Sequence, residues 1–172
     1  MIDHGHTGGR DGWDGPPAAE LVQRRWYAWD YELRQGGHAV AEIRVGYWRE
    51  RGEVVVGGVP YRVRPLDWWG RRFIVAPGDH PVARAEREGL VPFAYLIEHQ
   101  GQHWLVRSQG LFRRGVTVYA GMSADRAVGE IRPVGWFHRR ATALLPPDMP
   151  PLAQAFAAWL AVLNWKRRAS RR

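Results

Sequence analysis

The chain has 172 residues, 45% of them hydrophobic and 24% charged, which fits one globular domain and excludes wholesale disorder. With no cysteine, it cannot use disulfides, cysteine–zinc sites, CxxC redox motifs or a cysteine nucleophile. A net charge of +8 points toward anionic partners such as nucleic acid or acidic lipid, and ten tryptophans are far above the usual share.

Residues 1–21 are rich in Gly, Pro and Asp and lack a basic segment followed by an apolar one. They predict a flexible arm and not a secretory signal. His4 and His6 lie there without a third ligand, so a solvated tail is expected and a metal site is not. Residues 22–168 form the expected domain, and 169–172 a frayed basic tail.

From Trp26 to Leu144 apolar and polar residues alternate in short runs. Tyr27, Trp29, Tyr31 and Leu33 share one side of an extended segment. Ala39, Ala41, Ile43, Val45 and Tyr47 share a side of the next, and Val59, Tyr61 and Val63 follow. Phe93, Tyr95 and Ile97 with Val91, then Val116 and Val118, repeat the pattern; Val128 and Ile131 follow it less cleanly. A period of two in β-branched and aromatic residues predicts strands. Turn residues separate them, among them Gln35-Gly36-Gly37, Glu50-Arg51-Gly52, Val56-Gly57-Gly58, Arg87-Glu88-Gly89, His99-Gln100-Gly101 and Gly121-Met122-Ser123. Such short links favour antiparallel neighbours. About twelve strands are expected.

Three segments share a frame: YELRQGGHAVAEI from Tyr31, FIVAPGDHPVARA from Phe73 and VYAGMSADRAVGEI from Val118. In each, an aromatic residue (Tyr31, Phe73, Tyr119) stands nine positions before a Val (Val40, Val82, Val128), and a small residue follows that Val. The spacing is that of a propeller blade. Three copies are too few for a propeller, so a closed sheet is the better solution.

After Leu145-Pro146-Pro147-Asp148 the pattern changes. Leu152–Trp165 is apolar except for Gln154 and Asn164, and predicts a helix with Asp148 as its cap and Lys166, Arg167 and Arg168 at its C-terminal end. A helix apolar on all sides is buried all round or lies in a membrane. Fourteen residues span about 21 Å, short of a ~30 Å hydrocarbon core. A barrel of about twelve strands is too wide for its own side chains to fill. The two observations meet in one fold, mainly β, in which a closed antiparallel barrel surrounds the C-terminal helix.

That architecture, the G-x-x-V-A-x-I phrase at Gly37–Ile43, the F-x-V and Y-x-L hairpins and the closing L-P-P-D…W-K-R-R resemble the tubby C-terminal-like superfamily, with its LURP-one-related proteins of bacteria and plants and its phospholipid scramblases. The resemblance spans residues 22–168. It implies a barrel with a central helix and, by analogy with tubby, phosphoinositide binding at a membrane. The scramblase palmitoylation segment is absent, because there is no cysteine. The stretch Pro146–Pro151 holds one acidic residue, so calcium binding is not carried over.

Arginine pairs recur at Arg24-Arg25, Arg71-Arg72, Arg113-Arg114, Arg139-Arg140 and Arg167-Arg168. Neighbouring strand residues face opposite ways, which places most pairs at the barrel rims. Clustered on one rim, Arg71, Arg72, Arg113, Arg114, Arg139 and Arg140 would hold phosphate oxygens; scattered, they would be a solvated surface. Trp68-Trp69 is the most suggestive local feature: both rings cannot face the core of a strand, so one is expected against a lipid interface or a nucleic-acid base, the alternative being one ring in the core and the other packed under a loop. His99 and His103 lie across a turn and are not read as a metal site. Glu86 and Glu88, beside Arg84 and Arg87, are read as surface salt links. There is no GxSxG, HExxH or P-loop string.

The expectation is therefore a non-enzymatic module without cofactor, in the cytoplasm or peripheral at a membrane, that binds anionic phospholipid headgroups or an acidic partner through Trp68, Trp69 and the rim arginines. The alternatives are nucleic-acid binding by the same surface, a ligand-free interaction module, or a membrane anchor formed by Leu152–Trp165.

Overall fold

The computed structural model describes residues 19–48, 50–89, 93–110, 113–135 and 140–171. His4, His6, Val91 and Arg139, singled out above, lie outside that set. Among the described residues there are twelve strands and one helix: β1 (Ala19–Gln23), β2 (Trp29–Gln35), β3 (His38–Val45), β4 (Gly52–Val56), β5 (Val59–Pro65), β6 (Arg72–Ala76), β7 (Ala83–Arg87), β8 (Ala94–His99), β9 (Gln102–Ser108), β10 (Val116–Ala120), β11 (Ala127–Val134), β12 (Arg140–Leu144) and α1 (Pro151–Ala169). Each strand pairs antiparallel with its chain neighbours, and β1 pairs with β12, from Ala19 opposite Ala143 to Val22 opposite Arg140. The sheet is thus a closed barrel without free edges.

Strict up-and-down order sorts the connections. Those leaving even-numbered strands share one end, where Gly36-Gly37, Gly57-Gly58 and Gln100-Gly101 all have positive φ and make two-residue turns. Those leaving odd-numbered strands share the other end and are longer, as in residues 24–28, 46–51 and 66–71.

Inward residues alternate along most strands: Tyr31 and Leu33 on β2, Ala41, Ile43 and Val45 on β3, Tyr95 and Ile97 on β8, Val116 and Val118 on β10 are all buried. They pack on α1, whose residues Leu152, Ala153 and Ala155–Trp165 are buried without exception. A helix with side chains is about 10–12 Å across and fills the lumen. Its alanines let Phe156, Trp159, Leu160 and Leu163 interdigitate with the wall, and each such burial contributes about 1.5–3 kcal/mol for the aliphatic and Phe side chains. β6 and β9 depart from alternation: Ile74, Ala76 and Leu105 are buried although they lie outside the central cluster.

Several expectations are corrected. β1 begins at Ala19, inside the segment read as an arm. Tyr27 and Tyr47 sit in connections and are exposed, because the alternation stops at Trp29 and at Val45. Gly52 belongs to β4 and not to a turn. The helix is longer than Leu152–Trp165, and its N-cap is Pro150 with no side-chain cap; Asp148 does not serve. Gln154 Nε2 instead donates to the carbonyls of Pro146 and Met149, at 3.3 and 2.8 Å, and holds the approach to the first turn. Arg84 pairs across strands with Glu98 at 3.3 Å, not with Glu86 or Glu88. The helix is enclosed by the barrel and does not anchor the chain, and among the described residues no helix is long and apolar enough to cross a membrane.

The internal repeat proves to be a bulge in two of its three copies. Ala41 pairs with Leu33 and Ala39 with Arg34, so Val40 is the extra residue. Gly129 pairs with Val118 and Ala127 with Tyr119, so Val128 is extra. Val82 donates its N–H to the Val75 carbonyl at 2.8 Å beside the Val75–Ala83 pair. In the first and third hairpins the Val is the inserted residue; in the second, Val82 precedes the strand and donates beside the last pair. The hairpins β2–β3, β6–β7 and β10–β11 recur every fourth strand, giving the barrel an approximate three-fold order. Tyr119 is not the counterpart of Tyr31 and Phe73: the residue two before the partner of the small residue is Tyr31, Phe73 and Val116, because the third hairpin has a longer loop.

Candidate functional site

The long-connection end collects arginines that are far apart in sequence. Arg24 and Arg25 follow β1, Arg71 and Arg72 lie at the β5–β6 connection, Arg113 and Arg114 in the β9–β10 connection, and Arg140 opens β12. The helix runs from the tight-turn end to this one, so Lys166, Arg167 and Arg168 arrive here as well. Of the predicted site residues, Arg71, Arg72, Arg113, Arg114, Arg140, Trp68 and Trp69 therefore share one end. Three acids of the same end are engaged: Arg25 pairs with Asp30, Arg72 with Asp67 at 3.4 Å, and Arg167 with Glu50 at 2.6 Å. Asp67 also accepts the Arg71 N–H at 2.8 Å; these bonds outweigh its desolvation and hold its carboxyl below the usual range.

A polar seal closes the barrel under this surface. Both Glu50 oxygens take Arg167 at 2.6 Å, through Nε and Nη2. Arg167 also donates to the Tyr95 hydroxyl at 2.9 Å and the Gly70 carbonyl at 3.1 Å, and Tyr95 donates to the same carbonyl at 2.6 Å. Burial works against the Arg167 charge, but the Glu50 and Tyr95 contacts overcome it and keep the guanidinium firmly protonated. Gly70 has φ +62°, where a side chain is strained, and an added Cβ would push the Glu50 carboxylate and the Arg167 guanidinium out of their present positions. Lys166 donates to the Gly46 carbonyl, and burial pushes its pKa down.

Beside the seal, Gln109, Arg113, Arg114, Gly115, Arg132 and Pro133 line an open cleft of about 390 Å³. Arg168 braces its wall by donating to the Arg113 carbonyl (2.9 Å), the Gly110 carbonyl (2.7 Å) and Ser108 Oγ (2.6 Å). Trp165 Nε1 donates to the Arg114 carbonyl at 2.6 Å. Burial, then the positive charges of Arg114 and Arg171, push the Arg168 pKa down. Such crowding of like charge is what a bound anion relieves. Arg132 of the lining is paired with Glu130 at 2.8 Å, and Gln109 donates to that carboxylate at 3.2 Å.

Trp68 and Trp69 are both exposed, with ring centroids 3.8 Å apart; neither enters the core, because both lie in a connection and not on a strand. Sequence reasoning passed over two equivalent pairs, Trp26–Tyr27 and Tyr47–Trp48, at centroid distances of 5.6 and 5.0 Å. It also passed over Gln109 and Arg132, whose strand neighbours give no local cue. Two adjacent aromatics between strand runs were the available signal, since both cannot face one core. His99 is buried, with Nδ1 2.7 Å from the Val82 carbonyl, and so steadies the approach to β7. Among the described residues no group of three His, Asp or Glu could hold a metal ion.

No family model and no curated protein matches this chain. Among solved structures, the X-ray structure of a protein from Arabidopsis thaliana is similar, with a TM-score of 0.56 and 15% identity over 90% of this chain and 93% of that one. At that identity the likeness is one of fold: the chain shares its barrel with the plant protein over nearly the whole length of both.

Proposed function

We propose that this chain is a tubby-like barrel of the LURP-one-related and scramblase kind, without enzymatic activity, that attaches peripherally to membranes by binding anionic phospholipid headgroups. One observation carries the reading. Arginine pairs spread from Arg24 to Arg168 converge on a single end of the barrel, where Asp30, Glu50 and Asp67 are ion-paired within the fold and Glu88 is exposed. Guanidinium groups suit phosphate oxygens because their forked donors match them in geometry as well as charge. The cleft between Arg113, Arg114 and Arg132 offers a concave place for one such group.

Co-sedimentation tests this. The full chain should pellet with vesicles of phosphatidylcholine containing phosphatidylserine or a phosphoinositide, and not with phosphatidylcholine alone. Binding should fall as salt rises, since exposed charges are screened within about 10 Å at 0.1 M. Failure to pellet with any anionic vesicle at low salt overturns the proposal. So does a steep salt-dependent shift of DNA or RNA by protein that ignores lipid.

A further inference from the structure

Three consecutive connections of the arginine-bearing end each present an exposed aromatic pair: Trp26–Tyr27 between β1 and β2, Tyr47–Trp48 between β3 and β4, Trp68–Trp69 between β5 and β6. All six side chains are between 64% and 89% exposed. They are not leftovers of the core, because the strands on either side fill it with Leu21, Tyr31, Val45, Val54, Val63 and Phe73. These connections are neighbours around the barrel, two strands apart, so at ~4.8 Å per strand the pairs follow each other at about 10 Å along the rim. They make an arc over half the mouth, and the cleft of Arg113 and Arg114 belongs to the opposite half.

We infer that this aromatic arc inserts into the interfacial zone of an anionic bilayer, and so fixes how the barrel stands on the membrane. The inference rests on the proposed lipid binding and adds the part of the molecule that enters the lipid. Composition selects the occupant. The arc is made of Trp and Tyr, the side chains that gather where hydrocarbon meets headgroups, and Leu66 adds an exposed aliphatic group beside Trp68. Each of these connections also carries an arginine: Arg25 adjoins Trp26, Arg51 ends the second connection and Arg71 the third. Their charge favours a negative surface over the neutral apolar groove of a protein partner. Large exposed aromatics in such a cluster are otherwise costly in solubility.

Quenching by brominated phosphatidylcholine in phosphatidylserine vesicles reads the insertion directly. Part of the tryptophan emission should shift to the blue and be quenched most by bromines near the headgroups. The variant Trp26→Ala/Trp48→Ala/Trp68→Ala/Trp69→Ala removes every tryptophan of the arc and keeps the enclosed Trp159 and Trp165; it should melt like the parent and lose that quenched component. Vesicle affinity should fall about tenfold for each pair removed. Parent protein that pellets with the vesicles while no bromine position quenches it overturns the insertion and leaves headgroup binding standing. Quenching that persists in the variant overturns it too. No pelleting at all overturns both. Quenching by single-stranded DNA in place of lipid would assign the arc to base stacking instead.

Discussion

The indole of Trp159 on the central helix occupies the space that a side chain on Gly52 would need. Its Nε1 donates to the Arg44 carbonyl at 3.0 Å, and an added Cβ at Gly52 would collide with both that oxygen and Nε1. The contact ties α1 to the end of β3 and the start of β4, on the long-connection side of the barrel. Gly52→Ala should therefore destabilise by roughly 2–4 kcal/mol, more than a methyl group usually costs, because backbone on one side and a buried ring on the other both resist. Trp159→Phe should cost about 1–3 kcal/mol by leaving the carbonyl unpaired. Urea denaturation of the two variants checks this, and a change in unfolding free energy under about 0.5 kcal/mol at Gly52, the size of a neutral surface substitution, would refute the packing argument.

Arg167 and Glu50 close the barrel mouth over the end of the helix. Their side chains retain 22% and 31% exposure, so the pair sits between a buried bridge and a surface one. Glu50→Gln removes the carboxylate but keeps a neighbour for the guanidinium; Glu50→Ala leaves Arg167 with Tyr95 and the Gly70 carbonyl alone. The first is expected to cost about 1 kcal/mol and the second about 2–3 kcal/mol. Amide exchange near Gly70 should quicken in step, since Arg167 and Tyr95 both hold that carbonyl. Equal losses in the two variants would show that the charge, and not the fork of hydrogen bonds, matters.

Alkaline pH should unfold the protein early. Burial pushes the pKa of Tyr31 above its ordinary 10.0, and burial raises that of Tyr95 although Arg167 opposes it. A folded pKa above the unfolded one means that the unfolded chain ionises first. The stabilisation is complete below pH 10 and declines as pH climbs through the folded values. Lys166, with its pKa pushed down by burial, acts in the opposite sense over the same range, so the comparison is with a variant and not with theory. Tyr31→Phe should be less stable than the parent at pH 8 yet lose less of its stability between pH 9 and 11, read by denaturant titration at each pH. A parallel pH profile in the two proteins would count against burial of the phenol.

Much of the barrel was legible because it follows from periods. Alternation along β2, β3 and β8 and the glycine turns marked hairpins, and Leu152–Trp165 could only be an enclosed helix. What escaped was phase. The Val-plus-small motif was visible, but only pairing shows that Val40 and Val128 are inserted residues. Tyr27 and Tyr47 were drawn into strands because aromatics favour them, whereas their aromatic neighbours already break the alternation. Trp68 and Trp69 were flagged on that ground, yet one ring was still assigned to the core. The end at which each arginine pair lies depends on strand parity. A single miscounted strand moves every later connection to the other end, so β1, hidden in a polar segment, decided whether the site could be read at all.

Parity also supplies the sharpest test of the site. Arg71 and Arg113 are exposed at the long-connection end, and Arg126 is exposed in the β10–β11 connection at the tight-turn end. None of the three forms a salt bridge among the described residues. Reversing any one to Glu changes net charge equally, so a partner attracted only by overall charge would respond alike to all three. A basic side chain near an anionic surface is worth about 1 kcal/mol, roughly fivefold in partitioning. Arg71→Glu and Arg113→Glu should each weaken binding to phosphatidylserine vesicles at least fivefold and combine nearly additively, because they lie in separate connections. Arg126→Glu should change it less than twofold. Three equal losses in the partition isotherms would mean that the molecule meets the membrane by net charge alone, in no fixed orientation.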